Sequence, residues 1–171
     1  MIEKQREGVI METQITLEVN QFFTFILGGE VFAIDISQIR EVLELTQITK
    51  VPQTPEMMKG VINLRGSVVP VIDMRLKFDM GEIENTVDTC IIIIEIMLGE
   101  EKTMIGALVD SVKEVMDLDS DHIEPSPKIG TQLNTEFIKG MGKHDGQFVI
   151  ILDIDKIFSS SELELVQQAV A

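Results

Sequence analysis

The chain has 171 residues, 44% of them hydrophobic, enough for one ordinary domain or for two small units sharing a core. Its 14 Lys and Arg stand against 29 Asp and Glu, a formal net charge of −15, so the whole protein's field repels a phosphate backbone or an anionic membrane surface. The absence of Trp and Tyr leaves little aromatic surface for stacking bases, so nucleic acid is set aside as a partner; Cys90, the single cysteine, excludes an internal disulfide.

From the N-terminus, residues 1–19 read as a partly flexible arm in which Ile15, Leu17 and Val19 alternate as a first edge strand. Glu3, Lys4, Arg6 and Glu7 lead into no apolar stretch of the kind a signal peptide needs. Phe22 to Leu27 and Val31 to Ile36 flank Gly28-Gly29, a dipeptide that tight hairpins favour because both central residues there need φ > 0. Ser37 to Leu45 carries Ile39, Val42 and Leu43 at i, i+3 and i+4, which predicts a short helix with one apolar side. A proline loop at Pro52 leads to Lys59-Gly60 and a second hairpin. Its turn, Asn63-Leu64-Arg65-Gly66, lifts an arginine clear of a β scaffold. Pro70 in the returning strand removes a ladder donor, which predicts an edge or a bulge. An acidic connector follows over residues 80–89.

The second half repeats the first. Ile91 to Met97 and Thr103 to Val109 form another hairpin around Leu98-Gly99-Glu100-Glu101-Lys102. Val112-Lys113-Glu114-Val115-Met116 matches Ile39-Arg40-Glu41-Val42-Leu43, and Pro125 matches Pro52. Residues 137–158 then match 57–78 without a gap: Lys139-Gly140 on Lys59-Gly60, Gly146 on Gly66, Asp153 on Asp73 and Phe158 on Phe78. The chain is therefore read as all-β in the main, two tandem β-barrel units over about 20–82 and 83–158 with strands open to exchange. A C-terminal helix over 160–171 is predicted from the Ser161-x-x-Glu164 capping box and the stripe of Leu163, Val166 and Val170.

A search for chemistry finds no phosphate loop, dinucleotide fingerprint or nucleophile elbow. His122 and His144 lack metal-ligand spacing, so no metal, cofactor or catalytic residue is expected. Asp73 and Asp153 are read as turn caps, and Cys90 as a small buried hydrophobe. Arg65 stands out because the second copy lacks it, and a purely structural residue should recur with the structure. A guanidinium there can grip a partner carboxylate through two parallel hydrogen bonds. Glu41 recurs as Glu114. Ile39, Val42, Val112 and Val115 line a cleft if the two barrels meet side by side. Met57, Met58 and Met141 are gap fillers or an adaptable contact surface.

The block from Lys59-Gly60-Val61-Ile62-Asn63-Leu64-Arg65-Gly66 through Val69-Pro70-Val71-Ile72-Asp73-Met74-Arg75 resembles the signature of the CheW family of bacterial chemotaxis adaptors. So do Phe23 to Glu30, Asp35-Ile36, Asp110-Ser111-Val112 and Ile123 to Pro127. The resemblance implies two SH3-like five-stranded barrels, a C-terminal helix and no catalysis. It implies a cytoplasmic protein recruited to membrane-associated receptor arrays, where it joins the regulatory domain of the chemotaxis histidine kinase to the cytoplasmic tip of a chemoreceptor coiled coil. A related alternative is a scaffold of another chemosensory kinase cluster, controlling twitching or development. By position, Ile39, Glu41, Val42, Gly60, Asn63, Arg65, Gly66, Val112, Val115 and Gly140 form the protein-binding surfaces. Ile39, Val112, Val115 and Gly140 are assigned to the receptor and the Arg65 turn to the kinase.

Overall fold

Positive backbone φ angles fall where the hairpins turn: 57° and 84° at Gly28 and Gly29, 50° and 90° at Arg65 and Gly66, 51° and 79° at Asp145 and Gly146. Two consecutive residues of this hand make a type I′ turn, whose twist matches the strands it joins. The structure, a computed structural model, describes residues 19–98, 100–119, 123–125 and 137–158. The predicted arm ahead of Val19 and the predicted helix over 160–171 lie outside these residues.

Eleven strands and two single-turn helices are described: β1 (Val19–Leu27), β2 (Glu30–Asp35), β3 (Ile39–Glu44), β4 (Met58–Leu64), β5 (Ser67–Asp73), α1 (Met74–Lys77), β6 (Cys90–Leu98), β7 (Glu101–Val109), β8 (Ser111–Asp119), β9 (Ile123–Glu124), β10 (Ile138–His144), β11 (Gln147–Leu152) and α2 (Ile154–Ile157). They form two sheets, in the orders β8-β1-β2-β11-β10-β9 and β3-β6-β7-β5-β4. The repeats exchange hairpins. β1–β2, from the first copy, pairs with strands of the second, and β6–β7, from the second copy, pairs with strands of the first. Each sheet curls into a small SH3-like barrel. In the middle barrel, built on the β3-β6-β7-β5-β4 sheet (the other sheet forming the outer barrel), the chain leaving edge strand β3 bridges to β4 through Thr49 and Val61. In the outer barrel the chain leaving β8 becomes β9, which pairs with β10.

The closing segments explain the repeated Lys-Gly. A Cβ on Gly60, at φ 147°, would stand 2.1 Å from the Thr49 carbonyl oxygen. One on Gly140 would stand 2.7 Å from the Ile123 side chain and 3.0 Å from the Glu124 oxygen. Both glycines let the closing segment cross at contact distance. Pro70 lies in a central strand rather than at a sheet edge or bulge. The two-residue turn makes Leu64 and Ser67 a hydrogen-bonded pair, so alternation leaves Val61 and Pro70 a non-bonded one. The missing N–H therefore faces β7, and pairing with β7 begins only at Val71.

Successive residues of β6 serve two cores. Ile91 and Ile93 fill the middle barrel with Ile62, Leu64, Val69 and Val71. Ile92, Ile94 and Ile96 face the other way, into a larger cluster between the barrels with Phe25, Phe32, Ile34, Met74 and Phe78. Phe32 stacks on both Phe25 and Phe78, with centroids 6.1 and 6.0 Å away. Each large side chain buried there contributes about 1.5–3 kcal/mol, so the inter-barrel layer is a core and not a loose contact. Met58 belongs to this core and Met57 packs on its edge, so these two methionines fill gaps and form no free contact surface.

The predicted helix over Ser37–Leu45 is instead a short 3-10 turn, Ile36–Gln38, followed by β3. A bulge at Arg40 is the reason. Ile39 pairs with Ile94 and Val42 with Ile92, so two residues three apart share the inter-barrel face, as they would on a helix. β8 repeats the device: a register shift opposite Thr24 puts Val112 and Val115 on the face of Phe25 and Phe23.

Beside the inter-barrel core lies a buried ion network. Arg75 is 1% exposed and Asp73 1%. The Arg75 Nε and Nη2 donate to Asp73 at 2.9 and 3.2 Å, Nη1 to Asp110 at 3.2 Å, and Nη2 to Asn85 at 3.0 Å. Asp110 also accepts from the Gly28 amide at 2.8 Å. Burial alone would lower the arginine's pKa, but the two carboxylates outweigh it and raise the value, so the guanidinium stays charged. Asp73 caps α1 by accepting from the Arg75 amide, whereas Asp153 occupies the matching position with no side-chain cap. Arg75→Ala leaves buried Asp73 with only Lys59 Nζ, 3.9 Å away, as a counter-charge, and is expected to lower the unfolding free energy by about 3–5 kcal/mol, measured by urea titration. A loss no larger than the ~1 kcal/mol of a surface pair contradicts this account.

Candidate functional site

Two surfaces gather the residues singled out from sequence. The first is the mouth of the middle barrel. Arg65 sits in the left-handed region at the first central position of the β4–β5 turn, where Asn, Asp or Gly is usual and an arginine costs backbone strain. Its repeat counterpart is Asp145, one of the preferred types. Asn63 steadies the turn by accepting from the Gly66 amide at 2.8 Å. Gly66 supplies the second positive φ.

Arg65 does not stand clear of the scaffold. It folds across the barrel mouth onto Glu41 of β3 as a two-pronged pair, Nη1 to Oε1 at 3.3 Å and Nη2 to Oε2. β3 and β4 are the outermost strands of the sheet, so the pair spans its closure. The Glu41 carboxyl is held below the usual carboxylate range, first by the hydrogen bond from Arg65, and the guanidinium is raised by the same bond. The arginine side chain remains 71% exposed against 29% for the glutamate. Its remaining N–H donors are open to a further acceptor.

The second surface follows the margins of β3 and β8. Val42, Val112 and Val115 are 38%, 36% and 47% exposed, although the bulges turn them to the face that carries the inter-barrel core. Ile39 packs on that core. The Val112 backbone lies beside Cys90, which pairs with Glu44 of β3, so the exposed apolar margins of β3 and β8 are neighbours; the two together are called the groove. Thr24, fully buried, holds the β8 bulge open by accepting from the Glu114 amide at 3.0 Å and donating to the Glu114 carbonyl at 2.6 Å. Cys90 is half-buried at the groove floor, with burial pushing its thiol pKa up.

Gly60 and Gly140 stand apart from both surfaces, buried beneath the closing segments. Sequence reasoning missed the Arg65–Glu41 pair, although both residues were named, and missed Arg75 altogether. Arg75 is also single-copy, since Asp155 replaces it in the repeat, so absence from one copy does not by itself mark a residue as functional. Among the described residues no group of three or more His, Cys, Asp or Glu is placed to hold a metal ion. His122 lies outside them. No helix among them is long and apolar enough to cross a membrane.

Because the folded Glu41 pKa is depressed, the pair's stabilisation is present above the usual carboxylate range and is lost as pH falls through the lowered value. Arg65→Ala should therefore move the Glu41 titration midpoint upward, followed by side-chain carboxyl NMR, with little change in overall stability because the pair is exposed. An unchanged midpoint would show that the pair does not form in solution.

Comparison with known proteins agrees with this architecture. The model of the CheW-like domain matches residues 21–162. Chemotaxis protein CheW of Klebsiella aerogenes is 36% identical over 146 residues, 85% of this chain and 86% of that protein. Chemotaxis protein CheW of Helicobacter pylori is 32% identical over 158 residues, 92% of this chain and 93% of its own length. The crystal structure of the scaffolding protein TtCheW from Thermoanaerobacter tengcongensis superposes with a TM-score of 0.74 at 37% identity, covering 84% of this chain and 90% of that one. With the family model spanning most of the chain and the relatives covering it nearly end to end, this protein belongs to the CheW-like family.

Proposed function

We propose that this chain is a chemotaxis adaptor, a non-catalytic scaffold that couples transmembrane chemoreceptors to the chemotaxis histidine kinase. It works in the cytoplasm and is recruited to receptor arrays at the membrane. The observation that carries the reading is the pair of matched bulges. They turn Val42 on β3, and Val112 and Val115 on β8, toward the face of the inter-barrel core and leave them exposed at its margin. A fold with no partner gains nothing from leaving Val42, Val112 and Val115 wet, whereas an apolar helical tip seated there gains about 25 cal/mol per Å² of apolar area removed from water.

The groove takes the cytoplasmic tip of the receptor coiled coil. The Asn63–Gly66 turn and Glu41 meet the regulatory domain of the kinase, with Arg65 offering its free donors to a kinase carboxylate while Glu41 holds the guanidinium in place. Preorganisation of this kind reduces the side-chain entropy lost on binding. Gly60 and Gly140 act on both contacts indirectly, by keeping the barrels closed.

Two outcomes test the division. Val112→Met or Val115→Met crowds the groove and should weaken binding of the receptor hairpin in calorimetric titration while sparing the kinase domain; equal loss for both partners contradicts separate surfaces. Arg65→Ala should weaken the kinase domain by about 1–3 kcal/mol, the usual loss for a charged hydrogen-bonding group, and leave the fold intact. Normal binding of both partners by that variant would assign Arg65 to the scaffold alone.

A further inference from the structure

The groove has a charge pattern as well as an apolar floor. Along the outward face of β3, Val42 is followed by exposed Glu44, which pairs with Cys90. The carbonyl of Asp88 accepts from the Cys90 thiol at 3.1 Å, so the Asp88 segment lies at the same end. On β8 the outward face carries Val112 and Val115 and then exposed Asp117, opposite Gln21. Glu114 stands exposed on the bulge between the two valines, next to Lys113. Carboxylates thus bracket the apolar stretch at both ends, on a protein whose net charge is −15.

We propose that the groove selects an occupant whose apolar helical stripe is flanked by lysine or arginine, seated on Val42, Val112 and Val115 with its cations against Glu44, Asp88 and Asp117. The inference rests on the receptor reading above. Rim carboxylates stay solvated, so they add little affinity each, but they orient a basic partner, speed its encounter and repel an acidic one. An acidic or uncharged stripe would meet the same apolar floor without that guidance.

The test measures binding of the chemoreceptor cytoplasmic hairpin from the same organism to four forms of the full chain: wild type, Glu44→Lys with Asp117→Lys, Glu100→Lys with Glu101→Lys, and Val112→Met. The second pair changes net charge equally, but in the β6–β7 turn. Raising salt from about 0.1 to 1 M shortens the screening length from about 10 to about 3 Å and should weaken the wild type. Reversal at the groove should weaken binding by about tenfold or more at low salt, and reversal at the turn by about twofold or less. If the groove reversal misfolds, Glu44→Gln with Asp117→Asn keeps the test, with a smaller loss in the same direction. Equal effects of the two reversals, or no effect of either while Val112→Met still weakens binding, overturn the charge selection and leave the receptor reading standing. Normal binding by Val112→Met, or no hairpin binding by the wild type, overturns both.

Discussion

A single buried guanidinium ties together parts of the chain that lie far apart in sequence. Arg75 follows β5 in the middle barrel, yet it holds Asp110, at the crossing into the outer barrel, and Asn85, in the acidic connector. Asp110 in turn receives the amide of the β1–β2 turn. A charged side chain at 1% exposure is tolerable only when its partners are fixed, so the network constrains the turn, the connector and the crossing together. The exchange of hairpins and the shared aromatic layer do the rest. Because Ile91 and Ile93 face one core and Ile92, Ile94 and Ile96 the other, neither barrel can shift without disturbing both.

In the proposed role, that rigidity lets two surfaces of one body act together. The groove margin is held by bulges on β3 and β8, and the charged turn by Asn63 and Glu41. As proposed, they would draw on different physics: apolar burial at the groove, guided by rim charge, and a preformed bidentate cation at the turn. β3 contributes to both, with Val42 on its outer face and Glu41 toward the barrel mouth, so alternation along one strand separates the two contacts.

Much of this was legible in the residues. Gly28-Gly29 marked its hairpin because primed turns need positive φ, Gly66 bounded the Asn63–Gly66 turn, and the gapless Lys-Gly block exposed the internal repeat. The valines and Ile39 read as lining a cleft if the barrels meet side by side, with Ile39 and Val42 placed on a helix that does not exist. A bulge adds one residue to a strand and turns a spacing of two into a spacing of three, which periodicity cannot distinguish from a helical face. The Arg65–Glu41 and Arg75–Asp110 pairs depend on segments brought together by barrel closure and hairpin exchange, which no local pattern records. The family resemblance places Gly60 and Gly140 among the binding residues, whereas the segment that crosses over each leaves no local pattern. The comparison of Arg65 with Arg75 carries a further lesson. A pseudo-repeat acquires structural asymmetries as readily as functional ones, so Arg65 rests on its strained turn and exposure, not on its absence from the second copy.

A scaffold of this kind must let one rigid body serve two partners at once. The direct measurement is calorimetric titration of the kinase regulatory domain into this protein, alone and then saturated with the receptor hairpin, with the mass of the final complex read by sedimentation. Separate surfaces predict a complex containing one of each component and a kinase affinity unchanged within about twofold. Displacement of the hairpin by the kinase domain would mean that the groove and the turn form a single contested site, and would contradict the scaffold described here.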